Sequence, residues 1–228
     1  MRITKLAAVL LAALAVLVTG ASAAQAANFT AAEYPAFISG EQSGPGGTGG
    51  GGGVGSTIFG FESSQMAECE SAGFAGLMTA ATGSLTVSSG YNGCTALGSA
   101  GATIESNGCE FVLHPGTGSK DEFTGTFDIS CPGSEKIVVA GGNCEIQIGT
   151  QSGLGPVTYK NLTTAEPKKA VEAKFGMTGG SGFAYTKSKD GSGCPLSGTG
   201  SKTDGVIVGA AKITAGDLEF APIDLEIK

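Results

Sequence analysis

The chain has 228 residues, of which 41% are hydrophobic and only 14% are charged, with 40 glycines and no tryptophan. Its formal net charge is −7, and without the two basic residues of its N-terminal segment it carries 11 basic against 20 acidic residues, a net charge of −9. Such a surface repels nucleic-acid phosphates and anionic lipid headgroups, and the low charge content excludes a disordered chain. We therefore expect a globular protein whose partners include neither nucleic acid nor membrane.

Residues 1–26 have the pattern of a signal peptide. Two basic residues precede an apolar run, Leu6–Val18, and the small residues Ala24-Gln25-Ala26 form an A-x-A cleavage site, with Ala21-Ser22-Ala23 as the alternative. The chain is therefore expected to be secreted and extracellular, in a compartment where disulfides persist. No second apolar stretch is long enough to span a bilayer, so we expect no membrane span.

The rest of the chain divides into three segments. Residues 27–43 are too few to fold alone and are predicted to add an edge strand to the main domain. Residues 44–55 hold nine glycines and read as a flexible Gly-rich loop. Residues 56–228 are predicted to form one disulfide-bonded domain.

Apolar residues alternate with period two along most of this domain, which is typical of half-buried strands. Clear examples are Phe111 with Leu113, and Cys144 with Ile146 and Ile148. Turn signals separate the alternating runs: Asn92-Gly93, Asn107-Gly108, Pro132-Gly133, Gly141-Gly142-Asn143 and Asp190-Gly191-Ser192-Gly193. No segment after the leader keeps a helical period for three turns. The pattern predicts an all-β fold, an antiparallel sandwich or partly closed barrel of short strands.

Six cysteines, an even number, are expected to form three structural disulfides: Cys69, Cys94, Cys109, Cys131, Cys144 and Cys194. Fifteen pairings are possible, and local hairpins favour 94 with 109 and 131 with 144, which leaves 69 for 194. A metal site is disfavoured because no C-x₂-C pair occurs and His114 is the only histidine. We predict no metal-binding and no cofactor-binding residues.

The motifs around the cysteines resemble those of a family of uncharacterised exported all-β proteins from high-GC soil bacteria. They are Gly93-Cys94-Thr95-Ala96, Asn107-Gly108-Cys109, Ser130-Cys131-Pro132 and Cys144-Glu145-Ile146, together with Phe29-Thr30 and Tyr34-Pro35-Ala36. The resemblance covers most of the mature chain, apart from the Gly-rich run and the tail after Thr214. It implies secretion and a shared fold, and it transfers no site.

Residues that could carry catalysis are few. No serine lies in a Gly-x-Ser-x-Gly nucleophile elbow, and His114, the one side chain suited to act as a base near neutral pH, precedes Pro115-Gly116 in what reads as a strand-end loop. Paired carboxylates could hydrolyse a glycosidic bond: Glu68 and Glu70, Asp121 and Glu122, Asp217 and Glu219, and Asp224 and Glu226. Asp190 and the pair at 121–122 are also conceivable calcium ligands.

These observations favour a non-catalytic module outside the cell or at its surface that binds a protein or polymer partner. Its oligomeric state is left open, and no catalytic residue is assigned. The alternatives are a secreted hydrolase using two carboxylates and a secreted inhibitor that presents a loop such as Gly116–Glu122. An exposed apolar or aromatic patch would favour the binding module.

Overall fold

The computed structural model describes residues 27–43, 57–62, 65–163, 168–177, 182–192, 194–198 and 200–228. The predicted signal peptide at 1–26 and the predicted Gly-rich loop at 44–55 lie outside the described residues. Within the described ranges the chain forms strands and turns and no helix. The strands are β1 (Phe29–Ala31), β2 (Ala36–Gln42), β3 (Thr57–Phe61), β4 (Gln65–Met78), β5 (Leu85–Ala96), β6 (Ser99–Glu105), β7 (Glu110–His114), β8 (Gly118–Ser119), β9 (Glu122–Ser130), β10 (Ile137–Gly141), β11 (Cys144–Ile148), β12 (Gln151–Leu162), β13 (Ala170–Gly176), β14 (Phe183–Asp190), β15 (Gly200–Gly216), β16 (Pro222–Ile223) and β17 (Leu225–Ile227).

Alternating burial explains why these segments are strands. On β10 and β11 every second residue is buried, as with Ile137 and Val139 or Ile146 and Ile148, while the residues between them are partly exposed. Successive side chains of a strand point to opposite faces, so one face meets the core and the other meets water. The strands pair antiparallel. The prediction of an all-β antiparallel fold is therefore confirmed.

The strand pairings are ring-like. An upper ring consists of β2, β4, β5, β7, β9, β12, β13 and β15. A lower ring consists of β3, β4, β5, β6, β10, β11, β14 and β15. The sheet is not a true barrel, because the shared strands β4, β5 and β15 take different partners along their two halves.

The shared strands are longer than the short strands that the turn signals predict. They have 14, 12 and 17 residues. Asn92-Gly93 lies inside β5 rather than in a turn, and Gly93 bends the strand with a φ of +63°. A Cβ at Gly93 would lie 2.6 Å from the carboxylate of Glu70 on β4. Glycine suits this position because it adopts the positive φ readily and because it leaves room for that carboxylate.

Residues 27–43, for which we expected one edge strand, form two strands. β1 pairs with β17 at the C-terminus, and β2 lies between β15 and β4, paired on both sides. β2 is therefore an interior strand of the upper ring. Its buried residues Ala36 and Ile38 face the core, which explains why this short segment is tightly integrated.

All six cysteines form disulfides, as predicted, but the predicted pairing is wrong. The bridges join successive cysteines: Cys69 with Cys94, Cys109 with Cys131, and Cys144 with Cys194. The prediction paired Cys94 with the next cysteine along the chain, Cys109. In the structure Cys94 instead lies directly opposite the preceding cysteine, Cys69, because β4 and β5 pair in that register. The second bridge extends the β7–β9 ladder by one step, and the third joins β11 to the segment that follows β14.

The ring interiors are filled by side chains. Where the two rings meet, a cavity of about 10 Å³ remains, lined among others by Phe59, Phe74, Tyr91, Phe111, Phe175 and Ile207. That volume holds at most one water molecule. Burial raises the pKa of the Tyr91 phenol at this junction. This cavity therefore has no room for a ligand.

Each ring is closed at its outer end. The upper cap is the β1–β17 ribbon, whose Phe29, Leu225 and Ile227 are buried. The lower cap consists of residues 191–192 and 194–198, which cover the lower ring with Leu196 buried beneath them.

Candidate functional site

An apolar patch lies on the outer surface of the upper ring. Phe37 of β2 stands directly opposite Leu77 of β4, and the Phe220 ring stacks on the Phe37 ring with centroids 4.8 Å apart and an interplanar angle of 23°. Leu77 is 54% exposed and Phe220 is 73% exposed. We call Phe37, Leu77 and Phe220 the aromatic patch. Leu218, 62% exposed, lies two residues from Phe220 on the same turn.

The turn that carries Phe220 is held tightly. The Asp217 carboxylate accepts the backbone N–H groups of Glu219 and Ala221 at 2.8 and 2.9 Å, and the Phe220 N–H donates to the Asp217 carbonyl at 3.0 Å. Phe220 has a φ of +62°, a left-handed conformation that bulky side chains avoid. A strained backbone that places an aromatic ring in water is typical of a functional position.

The sheet face beside the patch carries two rows of small residues, with exposed Glu41 and Glu110 at their ends. Ser39, Ala75 and Ser88 lie in one cross-strand row over β2, β4 and β5, and all three are exposed. In the next row Gly73 and Gly90 are direct partners, and a Cβ at either would meet no atom within 4 Å. A flat partner surface can therefore approach this face closely, with the aromatic patch at its margin.

His114 forms a pair with Asp128 on the outer face of β7 and β9. His114 Nε2 lies 2.9 Å from Asp128 Oδ2, both side chains are about one-third exposed, and Asp128 Oδ1 accepts the Gly153 N–H at 2.7 Å. Among the described residues no serine hydroxyl hydrogen-bonds His114. Within the described part of the chain, this pair provides a base and an orienting carboxylate without a serine nucleophile in contact.

The predicted carboxylate pairs do not meet in a cleft. Asp217 caps the turn described above, and Asp224 accepts the Lys169 N–H at 3.0 Å. Hydrogen bonds from Lys228 and Lys169 hold the pKa of Glu226 below its usual range, so this carboxyl is not a proton donor near neutral pH. Glu70, Asp121 and Glu122 point to solvent and Glu68 is half-buried on the outside of β4.

A further set of charged groups serves the lower cap. Glu62 forms an ion pair with Lys202 and accepts the Ser197 N–H and hydroxyl at 2.9 and 3.1 Å. Hydrogen bonds from Lys202 and then from the Ser197 N–H lower the pKa of Glu62. Lys202 Nζ also donates to Ser197 Oγ at 3.2 Å, so this ammonium is engaged as a hydrogen-bond donor by both Ser197 and Glu62.

The residues named for the calcium and inhibitor hypotheses have other partners in the structure. Asp190 pairs with the Lys187 ammonium at 3.0 Å, and the part of the chain that the structure covers holds no cluster of three or more metal-ligating His, Cys, Asp or Glu side chains. The loop Gly116–Glu122 is a tight hairpin in which β8 pairs with the start of β9. Some backbone N–H and C=O groups of this loop are therefore already engaged in sheet hydrogen bonds.

The sequence pattern placed residue 37 only within the segment 27–43, and it gave no indication of Leu77 or Phe220. The available signal was local: two large apolar residues flank Glu219 immediately after an Asp that can cap a turn. No helix among the described residues is long and apolar enough to cross a membrane. No protein family, curated protein or solved structure matches the chain.

Proposed function

We propose that the chain is an exported, disulfide-stabilised binding module without catalytic activity, which docks on a protein or polymer outside the cell through the aromatic patch and the rows of small residues beside it. The observation that carries this proposal is the exposed Phe220 ring, held on a rigid turn and stacked on the half-buried Phe37. Three disulfides are typical of extracellular proteins and support the location.

The physical argument rests on exposure and rigidity. An aromatic ring that is 73% exposed loses its contact with water when a partner covers it, and burial of such a ring contributes about 2 kcal/mol. Because the Asp217 hydrogen bonds already fix the turn, little further entropy is lost on binding. Rigid aromatic anchors surrounded by polar residues are the usual centres of protein interfaces.

The test replaces Phe220 by Asn, which tolerates the left-handed conformation and removes the ring. Binding of the labelled chain to the cells that export it, and to the protein and polysaccharide fractions of their medium, is measured for the wild type and for Phe220→Asn. We expect an affinity about 30-fold lower for the variant, together with unchanged or higher thermal stability.

Met66→Thr is the matched control, because Met66 is 57% exposed on the lower-ring part of β4, away from the patch. It should bind like the wild type. Equal binding by Phe220→Asn and the wild type, or an equal loss in Met66→Thr, would contradict the proposal.

A further inference from the structure

A polar groove of about 210 Å³ lies on the outer side of the lower ring, where β11, β14 and β15 run side by side. Its floor is a row of polar side chains in direct register: Gln147 faces Thr186, and Thr186 faces Ser201. Adjacent strands lie about 4.8 Å apart, so the row offers an amide and two hydroxyls at regular spacing. Thr186 Oγ1 and Ser201 Oγ lie 3.1 Å apart, which leaves one hydroxyl hydrogen of the pair for another acceptor.

One wall of the groove is fixed by hydrogen bonds to the backbone. The Gln151 amide donates to the Ala184 carbonyl at 2.9 Å and accepts the Ala184 N–H at 2.7 Å. The neighbouring Thr150 hydroxyl accepts the N–H of the disulfide-bonded Cys131 at 3.0 Å. These contacts hold the wall against β14 and against the second disulfide. The groove is therefore preformed.

A lysine stands at one end of the floor. Lys136 Nζ donates to Gln147 Oε1 at 3.3 Å, and Gln147 Nε2 donates to Glu145 Oε1 at 3.1 Å, which orients the amide oxygen toward the ammonium. Glu145 is engaged further by the Ser188 hydroxyl at 2.6 Å. Within the described ranges no carboxylate forms an ion pair with Lys136, so this ammonium keeps donors for an anion.

We propose that this groove binds a small hydroxylated carboxylate of the size of one hexuronate unit. The Lys136 ammonium receives the carboxylate, and the hydroxyls of Thr186 and Ser201 exchange hydrogen bonds with the hydroxyls of the ligand. The Tyr185 ring points away from the groove, because it packs at 5.1 Å on Phe61 and its hydroxyl donates to Asp204 at 3.0 Å. Without an aromatic platform, charge rather than stacking selects the ligand. This site is independent of the aromatic patch on the upper ring.

The test is a titration of the isotope-labelled mature chain, followed by amide NMR shifts, with D-galacturonate, D-galactose and acetate. Galacturonate should shift the amides of Gln147, Thr186 and Ser201 with a Kd of about 1 mM, and the other two probes should bind at least about tenfold more weakly. Lys136→Gln should reduce galacturonate binding to the level of galactose. Lys160→Gln, a change at an exposed lysine of β12, should leave it unchanged.

Three results would overturn the proposal: galactose binding as tightly as galacturonate, acetate binding as tightly as galacturonate, or no shift of groove amides up to about 50 mM galacturonate. Thr186→Ala with Ser201→Ala separates the two halves of the site. This double variant should bind galacturonate and acetate equally, and retained preference for galacturonate would also contradict the proposal. The amide spectrum of each variant reports whether it is folded.

Discussion

The two caps close the two rings by different chemistry. The upper cap is apolar on its inner side, where Phe29 packs edge-on against Tyr159 at 6.0 Å, and the neutral Asn161 amide is a buried polar anchor beneath it. The lower cap is held by the Cys144–Cys194 disulfide and by charged groups. Lys187, whose side chain is 1% exposed, donates to the Leu196 carbonyl at 2.8 Å beneath that cap.

Because of this difference, the two ends of the molecule should respond differently to reductant, salt and pH. Apolar burial and neutral hydrogen bonds respond little to reductant, salt or pH, whereas disulfides and ion pairs respond to all three. Glu226 also carries ion pairs on the upper cap, but its partners Lys169 and Lys228 are 41% and 67% exposed. Such solvent-exposed pairs contribute little to stability. The lower cap is therefore expected to open first under reducing or acidic conditions.

The largest effect is expected from removal of the third disulfide by Cys144→Ser with Cys194→Ser. The bridge closes a loop with a sequence separation of 50, for which the chain-entropy argument gives a loss of about 4 kcal/mol in the free energy of unfolding. Urea denaturation measures the loss, and hydrogen exchange locates it. Amides at 191–192 and 194–198 should lose protection while β1 and β17 keep theirs, and equal loss at both caps would contradict the comparison.

A smaller effect is expected from Asn161→Ala in the upper cap. Asn161 donates to the Ile227 carbonyl at 2.9 Å and accepts the Ile227 N–H at 2.8 Å, and both bonds are buried. Their removal leaves two buried backbone groups unpaired, which should lower the free energy of unfolding by about 2–3 kcal/mol. The loss should be independent of salt and confined to β17 in hydrogen exchange.

Asn143→Ala in the lower ring is the matched control for that change. Asn143 makes one exposed hydrogen bond, to the Ser192 carbonyl at 2.9 Å, so its loss should be below about 1 kcal/mol. If the two variants were equally destabilised, Asn161 would not be the anchor of the upper cap.

The strands could be predicted from the sequence because alternation is a local property. Phe127 and Ile129, or Ile146 and Ile148, carry their own signal, and all four are buried as the period requires. The same reasoning was wrong at Gly93. It predicted a turn there, whereas the strand only bends and β5 continues for 12 residues.

Ring closure and disulfide pairing could not be predicted because they depend on register between distant segments. β15 meets β2, which lies more than 160 residues earlier in the chain, and Cys69 reaches Cys94 only because the β4–β5 register sets them opposite each other. The aromatic patch is non-local in the same way. Phe220 is exposed because its turn leaves the sheet and folds back over Phe37.

The smallest effect concerns Glu62 and is sensitive to pH. Its folded pKa lies below the ordinary value of 4.5, first because Lys202 donates to it and then because the Ser197 N–H does. A lowered folded pKa means that the carboxylate stabilises the fold fully above about pH 4.5 and loses this contribution as the pH falls through the folded pKa. Glu62→Gln should therefore be less stable than the wild type at neutral pH, by less than about 1 kcal/mol, and the difference should shrink below about pH 4.5. Glu226→Gln is the control, since its pairs are with lysines alone: about 1 M NaCl should abolish its effect. Glu62→Ala, which unlike Glu62→Gln also removes the acceptor of the Ser197 N–H, should keep part of its deficit in salt. Urea denaturation across pH and salt measures both effects. If the stability loss of Glu62→Ala also vanished in salt, the ion pairs of the two caps would not differ and this part of the comparison would be wrong.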